Sequence, residues 1–224
     1  MPDQWCHLVH HDPDIEDRIL AACLYRQQNI AYAQALDWAN KTSLTERKKF
    51  AQALLDLYGK HSIPMRELEH ASFTFDVLLD QGAYYEVKRH RMMTLTPQVL
   101  TVDLGYAIPS YIEKASALDL YKTALNQARL TYKKMHKDFP EVASYVVPNA
   151  FNRRFLVTTN LRSLMHFIKL RSAPSAHFSV RRLAQKMHEQ LIPILPTFSD
   201  YLSCNSTETA LSIENCFFFE TVSR

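Results

Sequence analysis

Ala71-Ser72-Phe73-Thr74-Phe75-Asp76-Val77-Leu78 is the stretch of sequence that decides the fold. Large apolar side chains at positions 73, 75 and 77 alternate with small or polar ones, which is the pattern of a strand with one buried face. Residues 151–159 repeat this alternation and lead into a helical pattern at Asn160, and the stretch after Gly82 to residue 91 is typical of a short helix. The sequence therefore predicts two half-buried strands, each followed by a helix.

Helical periodicity marks four further segments, at residues 14–24, 43–58, 115–137 and 175–191. The second of these has Ser43 and Glu46 in capping-box spacing and Gly59 as its stop. Two helices are therefore expected before the first strand. Residues 99–102 are expected to be extended and residues 103–105 to form a turn. Strands separated by helices indicate an α+β or an α/β domain.

The composition is that of an ordinary globular protein, since 47% of the 224 residues are hydrophobic and 22% are charged. A chain of this length builds one large domain, and a formal charge of +3 does not require a nucleic-acid partner. Four cysteines without Cys-x-x-Cys spacing, and a polar N-terminus without a signal pattern, predict a cytoplasmic protein with free thiols. No apolar run approaches the ~20 residues of a membrane span. Because the chain has only three glycines, side chains must hold any phosphate.

Arg89-His90-Arg91 is a dense basic cluster at the end of an apolar segment. Positive charges held so close together repel each other, and an anionic ligand would neutralise them. A basic cluster is more often only a solvated face of the protein. Both interpretations stay open on these residues alone.

A second pattern lies in the helix that is expected to begin at Asn160. Asn160 and Arg171 are eleven residues apart, so they fall within roughly 20° of the same helix face. The free N–H groups and the positive dipole end near Asn160 favour an anion. The alternative is purely structural, with Asn160 as the N-cap and Arg171 as a charge at the helix end.

Several motifs together resemble a known family. Glu69-His70 precedes the basic cluster by twenty residues, and Gly59-Lys60-His61-Ser62-Ile63-Pro64 lies upstream of it. Downstream, a segment that begins at Pro148 contains Asn160-Leu161-Arg162-Ser163-Leu164 and ends in Leu170-Arg171. In this order and spacing, over residues 15–195, the chain resembles the flavin-dependent thymidylate synthases.

The resemblance implies a single α+β domain in which long helices flank a small, mainly antiparallel sheet. It implies that the protein binds FAD and methylates dUMP to dTMP, with methylene-tetrahydrofolate and NADPH as co-substrates. It also implies a homotetramer whose active sites lie at subunit interfaces. The residues that match flavin-binding positions of the family are His61, Glu69, Arg89, His90, Arg91, Asn160, Arg162 and His166.

The resemblance further assigns substrate binding to Glu86, Arg89 and Arg171. Arg171 matches the residue that contacts and polarises the uracil ring, and is the expected catalytic residue. A guanidinium suits this role because it is permanently charged and makes two hydrogen bonds. No metal is expected.

The chain departs from the family where the dUMP phosphate is held. Val99 and Thr101 replace a Ser and an Arg, Ser144 replaces a second Arg, and Glu86 replaces a Gln. Each lost Arg removes a strong charge-assisted contact. Residues 103–106, Asp-Leu-Gly-Tyr, resemble a divergent branch of long proteins that carry two such domains, so the chain is expected to assemble with itself or with a second similar domain. Residues 1–203 are assigned to the family domain and residues 204–224 to a Phe-rich tail.

Three hypotheses follow. The first is a working synthase whose phosphate contacts are rebuilt from Arg153, Arg154 or Lys88. The second is a flavin-binding domain with a degenerate nucleotide site, which acts on another substrate or is inactive alone. The third, a nucleic-acid binder, is disfavoured because the basic cluster lacks an aromatic array or zinc ligands. A metal site at His166, His177 and His188 is also disfavoured, because Pro174 should break the helix that would align them.

Overall fold

The computed structural model describes residues 5–56 and 64–222, and a four-stranded antiparallel sheet lies at its centre. Strands β1 (Cys6–His11), β2 (Ser72–Asp80), β5 (Asn152–Asn160) and β3 (Thr94–Pro97) lie side by side in that order. The two central strands pair over their full length, from Ser72 opposite Asn160 to Asp80 opposite Asn152. Both strands expected from the sequence are confirmed, and β1 is an additional edge strand.

Alternation along β2 places one face of the sheet in the main core. Phe73, Phe75 and Val77 are fully buried, while the residues between them are partly exposed. On β5, Phe155 and Val157 are buried on the same side. Helices cover this face, so the α+β class with a small antiparallel sheet is confirmed.

Ten α-helices are formed by the described residues. They are α1 (Ile15–Gln27), α2 (Tyr32–Lys41), α3 (Leu44–Leu55), α4 (Gln81–Lys88), α5 (Ser110–Lys114), α6 (Leu118–Asp138), α7 (Pro140–Ala143), α8 (Leu161–Arg171), α9 (Phe178–Leu191) and α10 (Ala210–Phe217). The capping box expected for α3 is present, since Ser43 Oγ accepts from Glu46 N and Glu46 Oε2 accepts from Ser43 N. Its expected stop at Gly59 lies outside the described residues.

The expectation of two helices before β2 is wrong, because α2 is a third. Its N-cap is Ala31, whose side chain offers no hydrogen-bond acceptor, so the sequence carries no start signal there. The expected extended segment at residues 99–102 is also misplaced. The strand is β3 at Thr94–Pro97, where Leu95 pairs with Val157, and Val99 beyond it is 71% exposed. The expected turn is present, with Gly105 at φ 74°.

The C-terminal residues fold back onto α9. Helix α10 packs against α9, and β6 (Phe218–Val222) pairs with β4 (Tyr106–Pro109) in a second, two-stranded sheet. Arg181 makes an ion pair with Glu208 at 3.1 Å, and Gln185 donates to Asn205 O at 2.7 Å. The division into residues 1–203 and 204–224 stays a prediction.

The cysteines are all free thiols, as expected. Within residues 5–56 and 64–222, no helix is both long and apolar enough to cross a membrane.

Candidate functional site

The basic cluster lies directly after α4, where the helix ends and the chain turns toward β3. Asp80 caps the start of α4, since its Oδ1 accepts from Ala83 N at 2.9 Å. Arg89 Nη1 lies 3.0 Å from Glu86 Oε1 in the expected i, i+3 arrangement. Arg89 is therefore already paired with a carboxylate of its own helix.

Arg171 at the end of α8 contacts the same helix end. Its Nη1 lies 2.8 Å from Glu86 Oε2, and its Nη2 donates to the Glu86 carbonyl at 3.3 Å. Its Nε donates to His90 Nε2 at 2.8 Å. Two motifs that are 81 residues apart in sequence are thus joined through one guanidinium, whose side chain is only 15% exposed.

His90 is a neutral member of the basic cluster. Burial, followed by the charges of Arg171 and His166, lowers the pKa of His90 from 6.5 to about 4, although Glu86 opposes the shift. Arg171 Nε carries a hydrogen and can only donate, so His90 Nε2 accepts and the ring proton sits on Nδ1. The ring packs edge-on against Phe167 with centroids 4.9 Å apart. The like-charge repulsion expected from the sequence is therefore reduced at this position.

The start of α8 holds a second group of charges. Asn160 is the N-cap, with Oδ1 accepting from Ser163 N at 2.9 Å. Arg162 donates from Nε to Pro64 O at 2.9 Å and from Nη1 to Glu69 Oε1 at 2.8 Å. A hydrogen bond from Arg66, and then one from Arg162, lower the pKa of Glu69. Both sequence interpretations of Asn160 remain compatible with this geometry, since capping uses only its carbonyl oxygen.

A cavity of about 800 Å³ opens beside both groups, and we call it the basic pocket. Four cations line it without any Asp or Glu among its lining residues. The lining residues are Pro64, Arg89, His90, Arg91, Met92, Met93, Arg162, Ser163, Met165, His166, Lys169, Leu170, Ala173, Tyr201 and Ser203. Five residues expected to bind flavin therefore lie around one cavity: Arg89, His90, Arg91, Arg162 and His166.

The other expected site residues stand outside this lining. Glu69 contacts Arg162 and Glu86 contacts Arg89. Arg171 contacts His90, so each of the three touches a residue that lines the pocket. His61 falls outside the described residues. The sequence interpretation missed Lys169, Tyr201 and Ser203. Lys169 follows His166 by one helical turn, so helical spacing could have identified it. Tyr201 ends a short 3-10 helix after α9 and Ser203 follows it, and no sequence pattern marks either residue.

A second cavity of about 530 Å³ is lined in part by Glu86, and we call it the acidic pocket. Two carboxylates line it, and neither Lys nor Arg is among its lining residues. These residues are Asp80, Gly82, Glu86, Ala107, Pro109, Tyr111, Tyr121, Asn149, Ala150, His177, Phe178 and Ser179. Glu86 thus lines the acidic pocket, while its ion pair with Arg89 reaches the wall of the basic pocket.

The candidate replacements for lost phosphate contacts are engaged elsewhere. Arg154 forms a fork-to-fork pair with Asp76, with Nη2 2.7 Å from Oδ2. Arg153 donates to Gln98 O at 2.9 Å, and its guanidinium lies 4.8 Å from the Tyr84 ring centre. Neither these residues nor Lys88 line either pocket.

Histidines do not gather into a metal site among the described residues. No group of three His, Cys, Asp or Glu side chains there is arranged to hold an ion. His166 lies on α8, whereas His177 caps α9 and His188 lies within it, and Pro174 stands between the two helices.

The chain is similar to a known protein family and to several of its members. The model of a family described as thymidylate synthase complementing protein matches residues 7–197. A UPF0159 protein of Chlamydia muridarum is 34% identical over 197 residues, covering 87% of this chain and 37% of that protein. A flavin-dependent thymidylate synthase of Pyrococcus abyssi is 34% identical over 146 residues, covering 60% of this chain and 58% of that enzyme. The chain spans about a third of the length of the UPF0159 relatives.

A solved structure shares the fold. The flavin-dependent thymidylate synthase ThyX from Helicobacter pylori, complexed with FAD and dUMP, matches with a TM-score of 0.62 at 20% identity. The match covers 89% of this chain and 100% of that one.

Proposed function

Because the chain belongs to the thymidylate synthase complementing protein family, we propose that its basic pocket binds FAD and that it acts as a flavin-dependent thymidylate synthase. The reaction is the methylation of dUMP to dTMP, with methylene-tetrahydrofolate and NADPH as co-substrates. The convergence of Arg89, Arg91 and Arg162 on one cavity carries the proposal. These residues come from two distant parts of the sequence, and the described fold brings them together.

The pocket has the chemistry that a dinucleotide cofactor requires. Arg89, Arg91, Arg162 and Lys169 supply positive charge for a diphosphate, and Arg–phosphate contacts are among the stronger charge-assisted hydrogen bonds. Met92, Met93, Met165 and Leu170 supply apolar surface for a flat ring. The volume of about 800 Å³ is within the usual range for ligand pockets.

Arg171 is the residue that we assign to the pyrimidine. Its guanidinium is permanently charged and is oriented by Glu86 and His90, so it is ready to stabilise negative charge on a ring oxygen. Reduced flavin supplies the hydride when it is bound. The chain's own residues bind and orient the flavin and the nucleotide, and Arg171 polarises the pyrimidine ring.

The flavin proposal is tested by the absorption spectrum. The purified full chain should be yellow, or should take up added FAD with a saturable fluorescence change. Arg91→Ala should weaken FAD binding about tenfold, because one charge-assisted contact is worth about 1.5–3 kcal/mol and Arg91 is solvated. Lys134→Ala on the exposed side of α6 is the matched control and should leave FAD affinity unchanged. A colourless protein that takes up no FAD would reject the proposal.

A second candidate function is supported by the ion pair that Arg171 makes with Glu86. Its charge is paired with Glu86, and Val99, Thr101 and Ser144 offer no cation for a phosphate. A flavin-binding protein with a degenerate nucleotide site, inactive alone or active on another substrate, fits these contacts. Calorimetry with dUMP separates the two: tight binding and dUMP-dependent tritium release support the synthase, whereas FAD binding without dUMP binding supports the alternative.

We also propose that the protein works as an assembly in the cytoplasm, either as a homotetramer or paired with a second similar domain. The short span of the chain relative to its UPF0159 relatives supports the second arrangement. Light scattering on the purified chain distinguishes them, since a homotetramer has four times the mass of the 26.0 kDa protomer.

A further inference from the structure

Part of the wall of the basic pocket lies outside the region that the family model matches. The match ends at residue 197, whereas Tyr201 and Ser203 also line the pocket. The other lining residues lie between Pro64 and Ala173, within the matched region. The family motifs therefore assign no role to Tyr201 or Ser203.

Tyr201 has a fixed position in this wall. It ends the 3-10 helix Ser199–Tyr201 and stands between Phe198 and Leu202, which are both buried in the main core. Its hydroxyl donates to Asp56 Oδ1 at 3.1 Å, at the end of α3. Because buried neighbours flank it and its hydroxyl is bonded, the orientation of the Tyr201 ring is defined.

The chain that follows Tyr201 is tied to the helices of the pocket. Asn205 N donates to Ser172 Oγ at 3.0 Å, directly after α8, and Asn205 O accepts from Gln185 of α9 at 2.7 Å. Ser203 N donates to Tyr201 O at 2.9 Å. The wall is therefore formed before a ligand binds, so its contacts with a ligand cost little additional ordering.

Tyr201 offers the pocket an aromatic surface. It is the only Phe, Tyr or Trp among the described residues that line this cavity. The residue packs against the main core and is partly exposed. Aromatic rings stack on planar ligand rings, and such stacking tolerates different heterocycles because each has a flat π face.

The cations of the pocket cannot make this selection. Arg89, Arg91, Arg162 and Lys169 attract phosphorylated ligands through charge, whatever ring those ligands carry. A residue that distinguishes a ring-bearing ligand from any other phosphate must contact the ring itself. Tyr201 has the side chain for that contact.

We propose that Tyr201 is a specificity-determining residue of the basic pocket, and that its ring stacks on a planar ring of the bound dinucleotide. The inference rests on the proposed function for the identity of that dinucleotide, FAD, whose two rings are isoalloxazine and adenine. FMN carries only the isoalloxazine and ADP carries only the adenine. These two fragments therefore distinguish which of the rings Tyr201 contacts.

The test is calorimetry of FAD, FMN and ADP with the unmodified full chain and three variants. Tyr201→Leu keeps apolar bulk but removes the aromatic ring, and it should weaken FAD binding about tenfold. Tyr201→Phe keeps the ring and loses only the bond to Asp56, so its FAD affinity should stay within about threefold of the unmodified chain. Tyr145→Leu should have no effect, because Tyr145 is 87% exposed and lines neither pocket.

The fragments complete the test. Tyr201→Leu should weaken either FMN or ADP about tenfold and leave the other unchanged, and the unchanged fragment shows that the variant is folded. Unchanged FAD affinity in Tyr201→Leu, or an equal loss in Tyr201→Phe, would overturn the role of the ring. A loss for FAD together with a loss for neither fragment, or for both, would also overturn it.

The outcomes separate this inference from the proposed function. FAD binding that does not respond to Tyr201→Leu rejects only the role of Tyr201. ADP binding that depends on Tyr201, without any FAD uptake, rejects only the flavin proposal. Failure of all three ligands to bind the unmodified chain would reject both.

Discussion

Glu86 lines the acidic pocket and pairs with Arg89 of the basic pocket, and its charge also decides what Arg171 can do. Its carboxylate holds Arg89 at 3.0 Å and Arg171 at 2.8 Å. A neutral amide at this position would keep one hydrogen-bond acceptor but would not neutralise the positive charge of Arg89 or of Arg171. We therefore expect Glu86→Gln to raise the affinity for dUMP about tenfold, equivalent to about 1.4 kcal/mol, as measured by calorimetry.

Glu113→Gln provides the control for a nonspecific change in net charge, because Glu113 is exposed on α5 and lines neither pocket. An equal gain in both variants would mean that overall charge, and not the ion pairs of Glu86, governs nucleotide affinity.

His90 makes stability depend on pH. Its pKa is about 4 in the folded protein against 6.5 for an unperturbed histidine, so the unfolded chain binds more protons between these values. Stability is therefore fully present above pH ~6.5 and falls as the pH drops toward ~4. Because His90 is only partly buried, we expect a loss of only about 1–2 kcal/mol, seen as a lower urea midpoint.

His90→Gln retains an acceptor for Arg171 but does not titrate, so it should flatten the pH dependence in this window. His136→Gln changes an exposed histidine on α6 and should leave the slope unchanged. The same slope in all three proteins would assign the effect to carboxylates instead.

The motifs name single residues but not their partners. Arg89, Arg91 and Arg162, which the family resemblance assigns to flavin binding, lie around one pocket, and that assignment stays a prediction. The sequence did not reveal that Arg171 would pair with Glu86, because that contact joins residues 85 positions apart. Tyr201 was missed for the same reason, because it is far in sequence from the α8 residues that line the pocket with it.

At the level of elements, α8 has an N-cap that is also an expected cofactor residue. Asn160 Oδ1 accepts from Ser163 N, which leaves its amide N–H₂ for another role. Asn160→Ala should lower the free energy of unfolding by about 1 kcal/mol, because the cap is lost. Chemical denaturation measures this cost.

Asn160→Asp separates the two roles of this residue, since aspartate caps a helix but cannot donate. If the amide binds the cofactor, this variant should keep its stability and lose FAD affinity. Retained stability together with unchanged FAD affinity would show that Asn160 is only a structural cap.

Helices and strands with a clear hydrophobic periodicity or a capping motif were predicted from sequence. Those that form only because they pair with a neighbouring strand were not. The alternation at 73, 75 and 77 identified β2, and the Ser43–Glu46 box identified the start of α3. By contrast, β3 has only four residues and is a strand because it pairs with β5. Such a short segment carries too few side chains to establish a period.

At the scale of the whole molecule, the C-terminal residues tie distant parts of the chain together. Arg182 on α9 is buried between the rings of Trp5 and Phe218, with guanidinium-to-centroid distances of 4.1 and 4.3 Å. Burial lowers the pKa of this guanidinium, and Glu214 partly compensates. Trp5, α9 and β6 therefore meet at one buried cation. This buried contact of Arg182 could not be predicted from sequence, because the run Cys216-Phe217-Phe218-Phe219 does not indicate which of its rings is buried.

Phe218 and Phe219 form a natural pair for measuring what this contact contributes. Phe218 is 7% exposed and also packs edge-on against Phe178 at 5.1 Å, whereas Phe219 is 44% exposed. We expect Phe218→Ala to lower the free energy of unfolding by about 3–5 kcal/mol, because it opens a cavity and uncovers a buried cation. Phe219→Ala should cost well under about 1 kcal/mol. Urea midpoints at constant m value give both numbers, and equal costs would mean that the C-terminal residues do not dock on α9 in solution.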